Sequence, residues 1–189
     1  MSGKPLVLNE RLDRAGQHIA RARLFFELWF YFEGADTRPG IMETMEDYTE
    51  FFRFTPHAYL VAYTIYIAGV FDRRRDTISL PRLVGEMRNA LTFAQRQEAG
   101  ALLAQAEPLV SKITILRHKA FAHRTAGMSY DDVFSLAAIK HTQMRELTDI
   151  SLKTVNLLLA SAGLREQIFN DLPRESAEAM MKALATRAR

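Results

Sequence analysis

Two histidines and three permanent cations lie close together in segment 116–124, whose sequence is LRHKAFAHR. Arg117 and His123 are the side chains of this segment that suit chemistry at a phosphodiester. An arginine can hold a phosphate through two parallel hydrogen bonds, and a histidine titrates near neutral pH and can therefore transfer a proton. Cleavage of RNA without a metal ion requires these two side chains, so the segment is the first candidate for a functional site.

The same cations also have a simpler interpretation. Apolar spacing predicts a helix over about residues 96–123, so Lys119, His123 and Arg124 fall at its end, where the helix dipole favours positive charge. Arg117 and His123 are six positions apart, about 120° around an ideal helix, and they therefore flank a wide apolar face. Arg117 continues the stripe of Val110 and Thr114. Spacing alone leaves both interpretations open.

The elements that position this segment are predicted to be helices. Apolar residues recur at intervals of three or four, and no stretch alternates with a period of two. This pattern indicates an all-α protein. Further helices are expected over about residues 12–33, 41–54, 55–71 and 79–91, and as one long helix after residues 129–132. Pro108 lies inside the predicted helix 96–123 and is expected to kink or divide it.

Periodicity also predicts which side chains are buried. The first helix is expected to bury one stripe, and the 41–54 segment and the final helix are expected to bury others that include Met42 and Leu136. Glu27 is predicted to be exposed. The alternative is that it is buried and pairs with an arginine. The first stripe consists of Leu12, Ala15, Ile19, Ala22, Phe26 and Trp29.

Composition limits the classes of site. The chain has 189 residues, of which 48% are hydrophobic and 25% charged, and this favours a single globular domain over residues 1–189. The absence of cysteine excludes disulfides, thiolate metal sites and a cysteine nucleophile. Four carboxylates at 43–50 are interpreted as a solvated helix face, so neither a metal nor a cofactor is expected. The net charge of +3 and the arginine-rich basic residues leave anionic partners open.

Location follows from two negative observations. Residues 1–9 do not resemble a secretory signal, and the longest uncharged run, residues 58–71, is shorter than the roughly 20 residues that span a bilayer. We therefore expect a cytoplasmic protein without a membrane span.

Arg117 and His123, separated by five residues near a helix end, resemble the Arg-(four to six residues)-His motif of the HEPN superfamily of helical ribonucleases and nucleotide-binding domains. Segments 67–88 and 129–132 are similar to the corresponding regions of its abortive-infection U branch. The resemblance covers roughly residues 6–160, so a C-terminal helix at about 173–187 is expected to be peripheral. His118 stands where the family often has Asn or Asp.

The resemblance implies a function for these residues. His123 would transfer protons, and Arg117 would stabilise the phosphate while RNA is cleaved to a cyclic phosphate without a metal. His118 and Asp72 would support the pair, and Lys119 and Arg124 would bind RNA. It also implies a homodimer, a toxin or phage-defence role and a possible antitoxin partner. Two alternatives stay open: a HEPN-like module that binds RNA, nucleotide or protein without catalysis, and a helical interaction protein.

Overall fold

The computed structural model describes residues 6–122 and 130–187. They form α1 (Leu8–Glu33), α2 (Arg38–Asp47), α3 (Thr49–Phe52), α4 (Thr55–Gly69), α5 (Leu80–Glu86), α6 (Phe93–Ile115), a π-helix (Leu116–Ala122), α7 (Tyr130–Ala137), α8 (His141–Ser161) and α9 (Leu172–Arg187). No strand occurs among these residues, so the prediction of an all-α fold is confirmed.

The main core lies where α1, α4, α6 and α8 pack together. Helix α1 buries the predicted stripe from Leu12 to Phe26 completely, whereas Trp29 packs at the edge of the core. A smaller cluster joins the end of α1 to α2, α3 and α9 through Phe32, Met45 and Met181. The C-terminal helix α9 is therefore packed against the body of the protein.

Helix boundaries follow side-chain chemistry near prolines and caps. Helices α2, α4 and α5 each have a proline in the first turn, where its missing N–H group is tolerated. Helix α6 begins earlier than expected because Thr92 caps it: the Thr92 hydroxyl accepts from the Gln95 amide at 3.2 Å, and the Gln95 side chain accepts from the Thr92 amide at 2.9 Å.

Three boundary predictions are wrong, and of the two outcomes expected at Pro108 the division does not occur. Helix α6 continues through Pro108 to Ile115, and α-helical structure changes to a π-helix at Leu116. The predicted final helix is two helices, because Ala138 has a φ of 44° and turns the chain between α7 and α8. The 41–54 segment is also two helices, separated at Tyr48, and α5 ends at Glu86 rather than near residue 91.

Three burial predictions are also wrong. Met42 and Leu136 are exposed at 46% and 47%, because α2 buries Thr44 and Met45 and α7 buries Val133 and Ala137 instead. Glu27 is buried rather than exposed. Its carboxylate lies 2.6 Å from Arg23 and 3.1 Å from Arg145 of α8, which together balance its charge.

Candidate functional site

Arg117 lies at the start of the π-helix, on one wall of a surface groove of about 780 Å³. The groove opens between the end of α4, the following loop and the second half of α6. Val110 and Thr114 line it on the same side as Arg117, as the predicted stripe required. The full lining consists of Ala68, Phe71, Asp72, Arg73, Arg74, Glu107, Val110, Ser111, Thr114, Ile115, Arg117 and His118.

Asp72 connects the loop after α4 to Arg117. Its Oδ2 lies 3.5 Å from Nη1 of Arg117, a distance longer than a strong charge-assisted hydrogen bond. A guanidinium has five N–H donors, and this contact engages one of them. Asp72 can therefore orient Arg117 while other donors remain available to a phosphate. The supporting role of Asp72 in the site stays a prediction.

Asp72 is itself fixed by Arg74. The Arg74 backbone amide donates to Asp72 Oδ1 at 3.0 Å, and Nη2 of Arg74 lies 3.1 Å from Oδ2. Only 10% of the Asp72 side chain is exposed. Burial alone would raise the pKa of Asp72, but hydrogen bonds from Arg74 and the charges of Arg74 and Arg117 outweigh burial and lower this pKa. The carboxylate is consequently ionised at neutral pH.

The other predicted site residues occupy different positions. His118 is exposed and lines the groove beside Arg117. Lys119 lies on the π-helix and is half-buried, but it does not line the groove. His123 and Arg124 lie outside the described residues. Residues 116–122 have π-helical hydrogen bonding, which links residues five apart, so the ideal α-helical angle does not apply along this segment.

Sequence reasoning missed part of the groove. Arg73 and Arg74, which follow Asp72 directly in the chain, also line the groove. Glu107, which pairs with Arg73 at 2.6 Å, and Ser111 were not recognised. Helical spacing was the available signal, because 107, 110, 111 and 114 precede Arg117 at steps of three and four.

The acidic face at 43–50 does not line the groove. Its four carboxylates are exposed, and among the described residues no group of three or more acidic or imidazole side chains has the arrangement of a metal site. No helix of the described part is long and apolar enough to cross a membrane.

The lowered pKa of Asp72 gives a testable pH dependence. Asp72→Asn should reduce the free energy of unfolding at pH 7. A carboxylate with a depressed folded-state pKa stabilises the fold above its unfolded value, ordinarily 3.8, and this contribution is lost as the pH falls through the folded pKa. Urea unfolding of wild type and variant at pH 7, 5 and 3 should therefore show curves that converge only at low pH.

Asp76→Asn provides the matched control, because Asp76 is an exposed aspartate of the same loop. Its effect should be small at every pH. If Asp72→Asn lowers the free energy of unfolding by the same amount at pH 3 and pH 7, the charge of Asp72 is not what stabilises this loop.

Comparison with known families identifies one that matches this chain. The sequence model of the AbiU2 family, a family of HEPN domains, matches residues 8–164, which include the groove, Arg117 and His123. Comparisons with curated proteins and with solved structures gave no significant match. Because the family match extends over most of the chain and the fold is all-α, the chain belongs to the AbiU2 family of the HEPN superfamily.

Proposed function

We propose that this protein is a metal-independent ribonuclease that acts as a toxin or phage-defence effector. The observation that carries the proposal is Arg117 on the wall of the groove, oriented by a buried carboxylate and 28% exposed at its side chain. Membership of a HEPN family adds the association of this motif with abortive infection. A protein antitoxin would be the corresponding partner.

The chemistry assigned to the pair is an internal transesterification. His123, or its equivalent in a second subunit, removes the proton of a ribose 2′-hydroxyl, and the 2′-oxygen attacks the adjacent phosphorus. The bond from phosphorus to the 5′-oxygen breaks, and a protonated imidazole supplies the proton that this oxygen needs. Arg117 stabilises the charge on the phosphoryl oxygens. The role of His123 rests on its place in the motif.

The groove has the chemical character of a nucleotide site. Phe71, Val110 and Ile115 give it an apolar floor, and Arg73, Arg74 and Arg117 give it a cationic rim. An apolar cleft with a few fixed polar groups suits a base and an attached phosphate. The same groove would serve a module that binds RNA or nucleotide without cleaving it, and His118 beside Arg117 favours that second candidate.

Labelled single-stranded RNA separates the two candidates. Shortened products after incubation with the purified protein would support the ribonuclease, and a complex with intact RNA would support the binding module. Neither cleavage nor binding would leave the third interpretation, a helical interaction protein. Expression in a bacterial host should arrest growth and fragment cellular RNA if the protein is a toxin.

We also propose a homodimer, in which two motifs lie side by side. Helix α4 supports this proposal because Ala58 and Ile65 are exposed and Val61, Ala62 and Gly69 are half-buried at helical spacing, so this stripe is uncharged and partly open to water. This helix leads directly to Asp72 and the groove. Apolar faces of this kind are commonly covered by a second subunit.

Light scattering should give about twice the mass of 21.6 kDa for the wild-type protein at micromolar concentration. Ile65→Glu should reduce that mass to one chain, because a buried unpaired charge in the interface is strongly unfavourable. Met42→Glu is the matched control, since Met42 is an exposed apolar residue of α2. A wild-type monomer would remove the two-subunit site, and a dimeric Ile65→Glu variant would place the interface elsewhere.

A further inference from the structure

Six arginines lie between the end of α4 and the first turn of α6: Arg73, Arg74, Arg75, Arg82, Arg88 and Arg96. Segment 72–96 contains three carboxylates and no lysine, so its net charge is +3. The entire chain also has a net charge of +3. The charges of the remaining residues therefore sum to zero, and the net positive charge of the chain comes from segment 72–96.

These six arginines, here called the arginine track, line successive depressions that begin at the groove. Arg73 and Arg74 line the groove beside Arg117, and with Arg75 and Arg82 they also line a depression of about 370 Å³ at the start of α5. Helix α5 then leads to a third depression of about 480 Å³, which Arg88 and Arg96 line. All six arginines are exposed.

An exposed aromatic ring lies at the far end of the arginine track. Phe93, the first residue of α6, is 70% exposed and lines the same depression as Arg88 and Arg96. Nη1 of Arg96 donates to the carbonyl oxygen of Arg88 at 3.2 Å, which holds the two arginines together. Within residues 6–122 and 130–187, neither of these two arginines forms an ion pair with a carboxylate.

This combination has a specific chemical use. Proteins that bind single-stranded nucleic acid combine a cationic groove, which follows the phosphates, with aromatic rings on which bases stack. Thr92 and Gln95 make the contacts that cap α6, so the Phe93 ring is not needed to begin this helix. The ring remains in water beside two cations, which is the environment of a base-stacking position.

We propose that single-stranded RNA leaves the groove along the arginine track and places one base on Phe93. This inference rests on the proposed function for the identity of the ligand, and it adds a binding path outside the cleavage site. The track contributes phosphate contacts, and Phe93 contributes a contact that ignores sequence, since every base has an aromatic face.

The test compares a long and a short probe on the full-length protein. Fluorescent 2′-O-methyl oligoadenylates of twelve and two nucleotides cannot be cleaved through a 2′-oxygen, so binding is measured apart from catalysis. Phe93→Ala should weaken binding of the longer probe roughly 5- to 150-fold, because stacking is worth about 1–3 kcal/mol per base. Binding of the dinucleotide should not change.

Phe54→Ala is the matched control. Phe54 is also an exposed phenylalanine beside an arginine, with the Arg53 guanidinium 5.3 Å from its ring centroid, but it lies outside the arginine track. This variant should bind both probes like the wild type. An equal loss in the two variants, or no loss in Phe93→Ala, would overturn the inference. It would also be overturned if the wild type bound the longer probe no tighter than the dinucleotide.

Salt dependence tests the arginines separately from the aromatic ring. The double variant Arg82→Gln and Arg88→Gln should reduce the slope of log affinity against log salt by about 1.4 for the longer probe, because binding with two fewer phosphate contacts releases fewer counterions from a single strand. An unchanged slope would indicate that these arginines serve a protein partner instead. If the Phe93→Ala variant binds the longer probe normally while the protein still cleaves RNA, this inference fails and the proposed function stands. Absence of RNA cleavage by the wild type would instead count against the proposed function.

Discussion

Replacing either Arg117 or His123 with alanine should reduce RNA cleavage by about 10²–10⁴-fold, because each side chain supplies a separate part of the proposed chemistry. His123 supplies proton transfer, and Arg117 stabilises the negative charge that develops on the phosphate. Single-turnover cleavage of a labelled RNA measures this loss. Growth inhibition on expression should disappear in the same two variants.

The fold should survive loss of Arg117. Its only ion pair among the described residues is the 3.5 Å contact with Asp72, and Arg74 continues to neutralise that carboxylate when Arg117 is removed. Circular dichroism and light scattering should therefore match the wild type. Leu116→Ala is the contrasting variant, since Leu116 is fully buried and its truncation should cost about 2–5 kcal/mol. Wild-type cleavage by both alanine variants would require the catalytic assignment to be withdrawn.

Replacing Glu27 with alanine should reduce the free energy of unfolding by about 1.5–3 kcal/mol, because it removes a buried carboxylate that contacts both Arg23 and Arg145, while Asp149 continues to neutralise Arg23. Only 6% of the Glu27 side chain is exposed, and Arg23, which is 16% exposed, lies 2.6 Å from it. Arg23 also contacts Asp149 at 2.7 Å, so the network connects α1 to α8. Urea unfolding measures the loss.

The matched control has the same distance without the burial. Arg73 and Glu107 are also 2.6 Å apart, but their side chains are 79% and 59% exposed. Glu107→Ala should change stability by only about 0.2–1 kcal/mol, because water screens exposed pairs. Similar losses in the two alanine variants would mean that burial does not determine the strength of the Glu27 network.

Periodicity and local turn chemistry predicted most of the helical architecture. The stripe from Leu12 to Phe26 is a repeat along one helix, and the starts of α4 and α5 depend on prolines within their own first turns. It was also predictable that Val110 and Thr114 of α6 share one side with Arg117 at the start of the π-helix, since side chains at these spacings lie on one side of a helix. Such features depend on residues close together in the chain.

Features that depend on distant residues were not predictable in this way. Glu27 is buried because Arg145, 118 positions away, covers it, and helical spacing within α1 contains no sign of that partner. The turn at Ala138 and the π-helix at Leu116 are backbone conformations that ordinary helix-forming residues adopt in this fold. Asp72 was identified as a candidate from the sequence, and the distances that join it to both Arg74 and Arg117 come from the structure.

The most direct test of the central claim is the identity of the RNA ends produced in the presence of EDTA. If Arg117 and His123 catalyse attack by the 2′-oxygen, the wild-type protein should cleave RNA at the same rate with and without the chelator. Mass spectrometry should then find a 2′,3′-cyclic phosphate on one product and a 5′-hydroxyl on the other. Cleavage that stops in EDTA, returns with Mg²⁺ and leaves a 3′-hydroxyl and a 5′-phosphate would contradict the account.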